Sequence, residues 1–311
     1  MPQQIPNPYD LIVHSYAHFQ DPAVEAVRRV SAELLALAAL RDELPSATLP
    51  YVIIEAPRIN DFMSSPISFS GSSGGGDWSD RAAADLGCGA GEFAAGLAAR
   101  GARVYGYDSS AEMLARAERD FPSASYPNLH FIRTELPEFN APEPLTACFA
   151  LHDVVNHLTN AKAVRQLFEN CYAQLEAGGC FVFDVLTERY ARAMVATDLS
   201  YYLAEDLTAF FYNTYKAAYL TAEITLFLPV SGAVADNLPV TGTLWRRHEL
   251  QIKQRIYKIS ALSKVLNGSG FRAVHWFALR HPHAEVLRAE LPETADGSPE
   301  RELRLYCCAR K

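Results

Sequence analysis

The chain reads as an α/β protein: a Rossmann-like sheet with helices on both faces and an antiparallel β insertion. Three observations predict it. Between residues 82 and 185, short apolar runs alternate with amphipathic stretches, the rhythm of parallel strands joined by right-handed helical crossovers. A glycine-rich bend, Gly87-Cys88-Gly89-Ala90-Gly91, follows the first of these runs and opens the next segment. From 201 to 258 the rhythm changes to long stretches of Tyr, Phe, Thr, Leu and Val, residues that favour strands.

The elements follow in order. Asp21 is a good N-cap, and Pro22 suits the first helical position. Val24, Val27, Val30, Leu34, Leu37, Leu40 and Leu44 then recur every three or four residues, which predicts one helix over 21–44, stopped by Pro45. Tyr51-Val52-Ile53-Ile54 is strand-like. The Ser/Gly stretch at 64–76 has too little apolar surface to offset its ordering entropy, which predicts a mobile loop. Strands are expected at Ala82–Leu86, Arg103–Tyr107, Leu129–Arg133, Leu145–Leu151 and Cys180–Val185. Helices are expected at Glu92–Arg100, Ser110–Asp120 and Ala161–Leu175, the last ended by Gly178-Gly179.

The β-rich region reads as three antiparallel strands near 208–218, 221–229 and 241–257. In the third, Leu250, Ile252 and Ile256 face one way, and Arg247, Glu249, Gln251, Lys253 and Arg255 the other. A helix at 260–267 and strands at 271–278 and 303–309 close the fold. Four regions result: a helical and loop segment at 1–80 that covers the site, a cofactor-binding core at 81–200, a β cap for substrate at 201–258, and the end of the core sheet at 259–311.

Composition narrows the function. The 36 acidic residues outnumber the 28 basic ones, and Lys and Arg form no cluster, which excludes a nucleic-acid surface and disfavours an anionic membrane face. No apolar run approaches the roughly 20 residues that span a bilayer. The start lacks a basic n-region and an apolar h-region, so a cytoplasmic location is expected. The six cysteines form no CxxC pair and sit in apolar or Gly-rich stretches, so they read as reduced core residues and no metal site is expected.

The chemistry is concentrated in Asp85-Leu86-Gly87-Cys88-Gly89-Ala90-Gly91-Glu92. A glycine bend between strand and helix lets a ligand lie directly on the backbone. The next strand ends in Asp108, 21 residues after Gly87, placed to accept hydrogen bonds from both hydroxyls of an adenosine ribose. Dinucleotides and S-adenosylmethionine both use this geometry. Glu92 stands where a dinucleotide fingerprint wants a small residue beside pyrophosphate, and carboxylate next to phosphate costs Coulomb energy. A ligand with an ammonium and a sulfonium tolerates it, so the methyl donor is favoured.

At these residues the chain resembles the class I S-adenosylmethionine-dependent methyltransferases. Asp85–Gly91 is similar to the family's first motif, and Gly106-Tyr107-Asp108-Ser109-Ser110-Ala111-Glu112-Met113-Leu114 to its second. Phe131–Leu136 resembles the adenine-edge motif, with Glu135 where the family commonly has Asp. Leu145–Leu158, ending Asp153-Val154-Val155-Asn156-His157-Leu158, resembles the fourth-strand motif of the small-molecule branch. Leu175–Asp184 resembles the lead into the fifth strand, and Gln254-Arg255-Ile256-Tyr257 a substrate cap.

The resemblance implies a seven-stranded sheet whose last strand is antiparallel. It implies cofactor contacts from Tyr16, Asp85, Gly87, Gly89, Asp108, Met113, Glu135, Leu136 and Leu151, with Met113 near the adenine. Tyr9 and Tyr16 lie in a segment similar to the one that folds over the cofactor.

The expected activity is methyl transfer from S-adenosylmethionine to a small molecule, at nitrogen or oxygen rather than carbon or sulfur. His157 is the candidate catalytic base, since it lies just past the fourth strand and a neutral imidazole can take a proton; it could equally cap the next helix. Asn156, Arg255 and Tyr257 are candidate substrate contacts, against the reading of a solvated strand face. Two rivals remain: an NAD(P)-dependent oxidoreductase on the same fold, and a non-catalytic partner that keeps the cofactor.

Overall fold

The computed structural model describes residues 7, 9, 36, 52–55, 78–196, 199–204, 207–230, 244–280 and 302–311. The helix expected over 21–44 lies outside the described residues except for Ala36, which is helical and buried. The 64–76 loop and Tyr16 also lie outside them.

One large sheet forms the core. Its strands are β1 (Val52–Glu55), β2 (Ala82–Leu86), β3 (Arg103–Asp108), β4 (Leu129–Arg133), β5 (Leu145–Ala150), β6 (Leu175–Leu186), β11 (Ala273–Arg280) and β12 (Arg304–Arg310). A second sheet holds β7 (Ser200–Leu203), β8 (Thr208–Lys216), β9 (Tyr219–Pro229) and β10 (Trp245–Arg255). The helices are α1 (Glu92–Ala98), α2 (Ala111–Asp120), α3 (Val154–His157), α4 (Ala161–Gln174), α5 (Glu188–Ala196) and α6 (Ile259–Gly268).

The large sheet runs β1-β11-β12-β6-β5-β2-β3-β4, and β12 is antiparallel to both its neighbours. The seven strands expected for the core are joined at the edge by β1, which pairs parallel with β11 through the Val52–Ile54 run. The chain leaves β2 first toward β3 and later returns to β5 on its other side, so the crevice for a ligand opens beyond the carboxyl ends of these strands.

Burial on both faces explains the apolar runs. Along β6, Phe181 and Phe183 join one packed layer with Phe168 of α4 and Trp276 of β11, while Cys180 and Val182 join the opposite layer. Phe168 meets Phe181 and Phe183 at ring distances of 5.6 and 5.3 Å. The opposite layer centres on Phe149, with Phe93 at 4.9 Å and Trp78 at 6.0 Å. All six cysteines are free and buried, and burial pushes the Cys307 thiol well up, which keeps it inert. Among the described residues, no group of acidic, His or Cys side chains could hold a metal, and no helix is long and apolar enough to cross a membrane.

Local signals set most boundaries. Ser110 caps α2 by accepting from the Met113 N–H at 3.1 Å, and Met113, Leu114 and Ala117 form its buried stripe. Asn160 caps α4 in the same way through the Lys162 N–H at 2.9 Å.

Three expectations need correction. The helix expected to reach Leu175 ends at Gln174, because Leu175 pairs with Leu145 and is drawn into the sheet; β6 therefore begins before Gly178-Gly179. The cap sheet has four strands instead of three, since the short β7 adds its edge against β8. Helices α3 and α5 were not foreseen. α5 exists through packing: its Ala191 is buried with Leu220 and Ile256 under the cap.

Candidate active site

The glycine bend is held by the end of β3. Gly87 and Cys88 donate to the Tyr107 carbonyl at 2.7 and 3.0 Å, and Gly91 donates to the Cys88 carbonyl at 2.9 Å. Asp108, the last residue of β3, is drawn into the same hollow. Its Oδ2 accepts from the Gly89 N–H at 2.8 Å and its Oδ1 from the Ser110 N–H at 2.9 Å.

Two glycines do different work here. At Gly91, with φ +83°, a Cβ would lie 2.6 Å from the Phe131 ring, so the bend packs tightly on β4. At Gly89, with φ +53°, a Cβ would meet nothing within 4 Å among the described residues.

The charge around the bend suits a cation. Burial first, then the negative charges of Asp85, Asp108 and Glu92, push the Cys88 thiol well above its ordinary value. Carboxylates clustered at this point favour a sulfonium and an ammonium and oppose pyrophosphate.

Of the other predicted cofactor residues, Tyr16 lies outside the described residues and the rest take the following places. Asp85 (3% exposed) lies at the end of β2, Met113 (1%) on α2, and Leu151 (4%) just past β5. Leu136 is half-buried and Glu135 is exposed, on the segment that the Thr134 N–H ties to the Asp108 carbonyl at 2.9 Å. Met113 and Ala90 pack together, and Tyr9 packs against them.

Beyond β5 the backbone is strained. His152 and Asp153 adopt φ +62° and +57°, a region that costs a non-glycine residue about 1–3 kcal/mol. A buried ionic cluster holds it there. The Asp153 N–H donates to Asp184 Oδ1 at 3.1 Å, Arg304 donates to Asp153 Oδ1 at 2.8 Å, and Arg304 also bonds Asp184 Oδ2. Burial alone would push the Asp153 carboxyl up, but the Arg304 guanidinium, followed by His157, holds it well below the usual carboxylate range. Two carboxylates and one guanidinium leave one net negative charge.

His157, at the end of α3, faces that charge. Its Nε2 lies 3.6 Å from Asp153 Oδ2, 3.1 Å from the Tyr9 hydroxyl and 3.1 Å from Gln254 Nε2. Gln254 also donates to Asp153 Oδ2. Tyr9 thus touches Ala90 and Met113 of the cofactor hollow, the inner core of the cap, and His157. Asn7 reaches Ser109 beside Asp108 at 3.0 Å.

The three predicted substrate residues are engaged elsewhere. Asn156 is fully buried; its amide nitrogen donates to the Arg255 carbonyl at 2.8 Å and its oxygen accepts from the Leu186 N–H at 2.9 Å. Each end carries one hydrogen bond that ties cap to core. Arg255 donates to the Thr159 carbonyl at 3.2 Å and lies over the Tyr257 ring at 5.1 Å. Tyr257 donates to the Leu158 carbonyl, and burial pushes its hydroxyl up to about 12. Both clamp the cap to the segment after α3.

Sequence reasoning passed over Asp153, Asp184, Arg304 and Gln254 as site residues. Asp153, Asp184 and Gln254 stand inside quoted motifs, and the acidity of the two aspartates in apolar surroundings is a usable signal. Arg304, at the start of the last strand, carried no local signal.

Residues 83–179 match the family described as a methyltransferase domain. A Geobacillus sp. protein named as a candidate methyltransferase is 28% identical over 189 residues, covering 60% of this chain and 72% of its own length. The structure of an S-adenosylmethionine-dependent methyltransferase from Clostridium acetobutylicum aligns with 98% of this chain and 99% of its own, with a TM-score of 0.62 and 14% identity. A sugar N-methyltransferase from Streptoalloteichus sp. aligns with 100% of this chain and 95% of its own, with a TM-score of 0.57 and 15% identity. At such identities the structural likeness establishes a shared fold.

Proposed function

We propose that this chain, whose residues 83–179 match a methyltransferase domain, is a class I S-adenosylmethionine-dependent methyltransferase that methylates an amine nitrogen of a small hydroxylated molecule. One observation carries the reading: Tyr9 joins the cofactor hollow at Ala90 and Met113 to the imidazole of His157.

The cofactor, when bound, supplies an electrophilic methyl group on a sulfonium. Asp108 and the Gly87–Gly91 backbone hold the adenosyl part, with Asp85 and Glu92 adding compensating charge. An amine arriving as an ammonium has no lone pair and must lose a proton first. The Tyr9 hydroxyl takes that proton as it gives its own to His157 Nε2, 3.1 Å away, so the tyrosine stays neutral. The resulting imidazolium faces the net negative Asp153–Arg304–Asp184 cluster, which balances its charge. The remaining acceleration comes from holding nucleophile and methyl about 3 Å apart in a dry site. The nitrogen assignment draws support from this acidic surrounding and from the sugar N-methyltransferase that shares the fold.

A test is turnover of methyl-labelled donor against amino sugars and their hydroxyl counterparts. His157→Ala should lower kcat on the amine about 10²–10⁴-fold, the usual contribution of a general base, with unchanged affinity for S-adenosylhomocysteine. Wild-type turnover by that variant would remove His157 from the mechanism, and turnover confined to hydroxyl acceptors would move the reaction to oxygen.

A further inference from the structure

Gln254 reaches the site from the cap. The alternation along β10 places it on the inner face with Leu250 and Ile252, and its carboxamide lies between Asp153 and His157. The sense of that amide is decided by its neighbours. Asp153 is paired with Arg304 at 2.8 Å and is an ionised carboxylate, which only accepts hydrogen bonds. The NH2 end of Gln254 must therefore face Asp153 Oδ2.

The same nitrogen stands 3.1 Å from His157 Nε2 and has a second hydrogen to offer. A donor on that side requires a lone pair on the ring nitrogen. The 3.6 Å separation between Nε2 and Asp153 Oδ2 is too long for a direct hydrogen bond that would call for the opposite arrangement.

We infer that Gln254 is a positioning residue that selects the neutral His157 tautomer with its hydrogen on Nδ1 and a bare Nε2, and that the Asp184–Arg304–Asp153 chain holds the amide in the sense that does so. The inference rests on the reading that His157 receives the acceptor's proton, since only a bare Nε2 can receive it. It also ties that readiness to the seating of the cap: Gln254 arrives on the same strand end whose Arg255 carbonyl is fastened by Asn156.

The test is nitrogen NMR of the neutral imidazole in the 15N-histidine-labelled full chain, alongside steady-state kinetics. His157 of the wild-type protein should carry hydrogen on Nδ1. In Q254E the introduced carboxylate either only accepts or spends its one proton on Asp153. In both cases an acceptor replaces the Gln254 donor beside Nε2, and the Tyr9 hydroxyl 3.1 Å away can accept as well as donate, so the balance should shift toward the tautomer with hydrogen on Nε2. kcat should fall about 10–100-fold with S-adenosylhomocysteine affinity unchanged. Q254M, which offers no donor, should give a mixture of tautomers and an intermediate rate, and keeps the test open if Q254E folds poorly.

A wild-type ring with hydrogen on Nε2, or a tautomer indifferent to both substitutions, overturns the inference. An inverted tautomer with undiminished kcat overturns its catalytic consequence and, with it, the base role of His157. Tautomer inversion with loss of rate supports both.

Discussion

On the proposed reading Asp108 is the residue on which cofactor binding turns, and the fold fixes it by one backbone hydrogen bond to each of its oxygens. Removing the carboxylate would delete the proposed ribose contacts and release the Gly89 N–H together. Hydrogen bonds to charged groups contribute about 1.5–3 kcal/mol, so Asp108→Ala should weaken S-adenosylhomocysteine binding by roughly 10–100-fold in calorimetric titration. An unaltered affinity would put the adenosyl group elsewhere. His157 differs in kind: it is exposed enough to meet a proton donor, yet it is surrounded by groups from three separate parts of the chain.

Among the elements, α2 carries both a structural and a binding duty. Its cap, Ser110, follows directly on the Asp108-Ser109 corner, and its first buried residue, Met113, lines the hollow. Ser110→Ala leaves the Met113 N–H without its cap and should cost about 1 kcal/mol in urea unfolding. Cofactor affinity should fall along with stability, since the helix start and the Asp108 corner share the Ser110 backbone. A loss of stability with intact affinity would show that the two duties are separable. The cap sheet is an element of another sort, joined to the core by Asn156, Arg255 and Tyr257, residues whose side chains bind backbone carbonyls.

At the scale of the whole molecule, the Asp153–Arg304–Asp184 cluster connects the turn between β5 and α3 with β6 and β12. Arg304→Met strands the buried carboxylate of Asp184 and the partly buried one of Asp153. Breaking a buried pair from one side costs roughly 3–5 kcal/mol, so the variant should lose that much stability in urea unfolding at neutral pH. The cluster also sets an acid limit. Asp153 has a folded pKa below its unfolded value, so between the two values the unfolded chain binds more protons and stability rises with pH. Its contribution is complete above about pH 4, the ordinary carboxylate value, and is lost as pH falls below it toward the folded value. Asp153→Asn should flatten the decline in stability on acidification below pH 4, and an unchanged decline would mean that other groups govern acid unfolding.

Much of this was legible along the chain. The core strands and the long helices of the sheet announce themselves as apolar runs and stripes because burial is written locally, in residue type and period. The glycine bend and Asp108 are legible for the same reason: a turn that needs positive φ and a carboxylate at a strand end are short-range features. Helix α5, the strand β7 and the start of β6 at Leu175 were not, since each is decided by a partner distant in sequence.

The site divides along the same line. Residue type alone determined that the bend would suit a cationic adenosyl ligand. Only the tertiary structure decided that Asn156 would lock the cap, that Tyr9 would reach an imidazole 148 positions away, and that Arg304 would stand between two aspartates. Hydrogen bonds and ion pairs depend on a few ångströms of separation, and in a chain of 311 residues that separation is set by how the sheet is ordered rather than by what lies next in sequence.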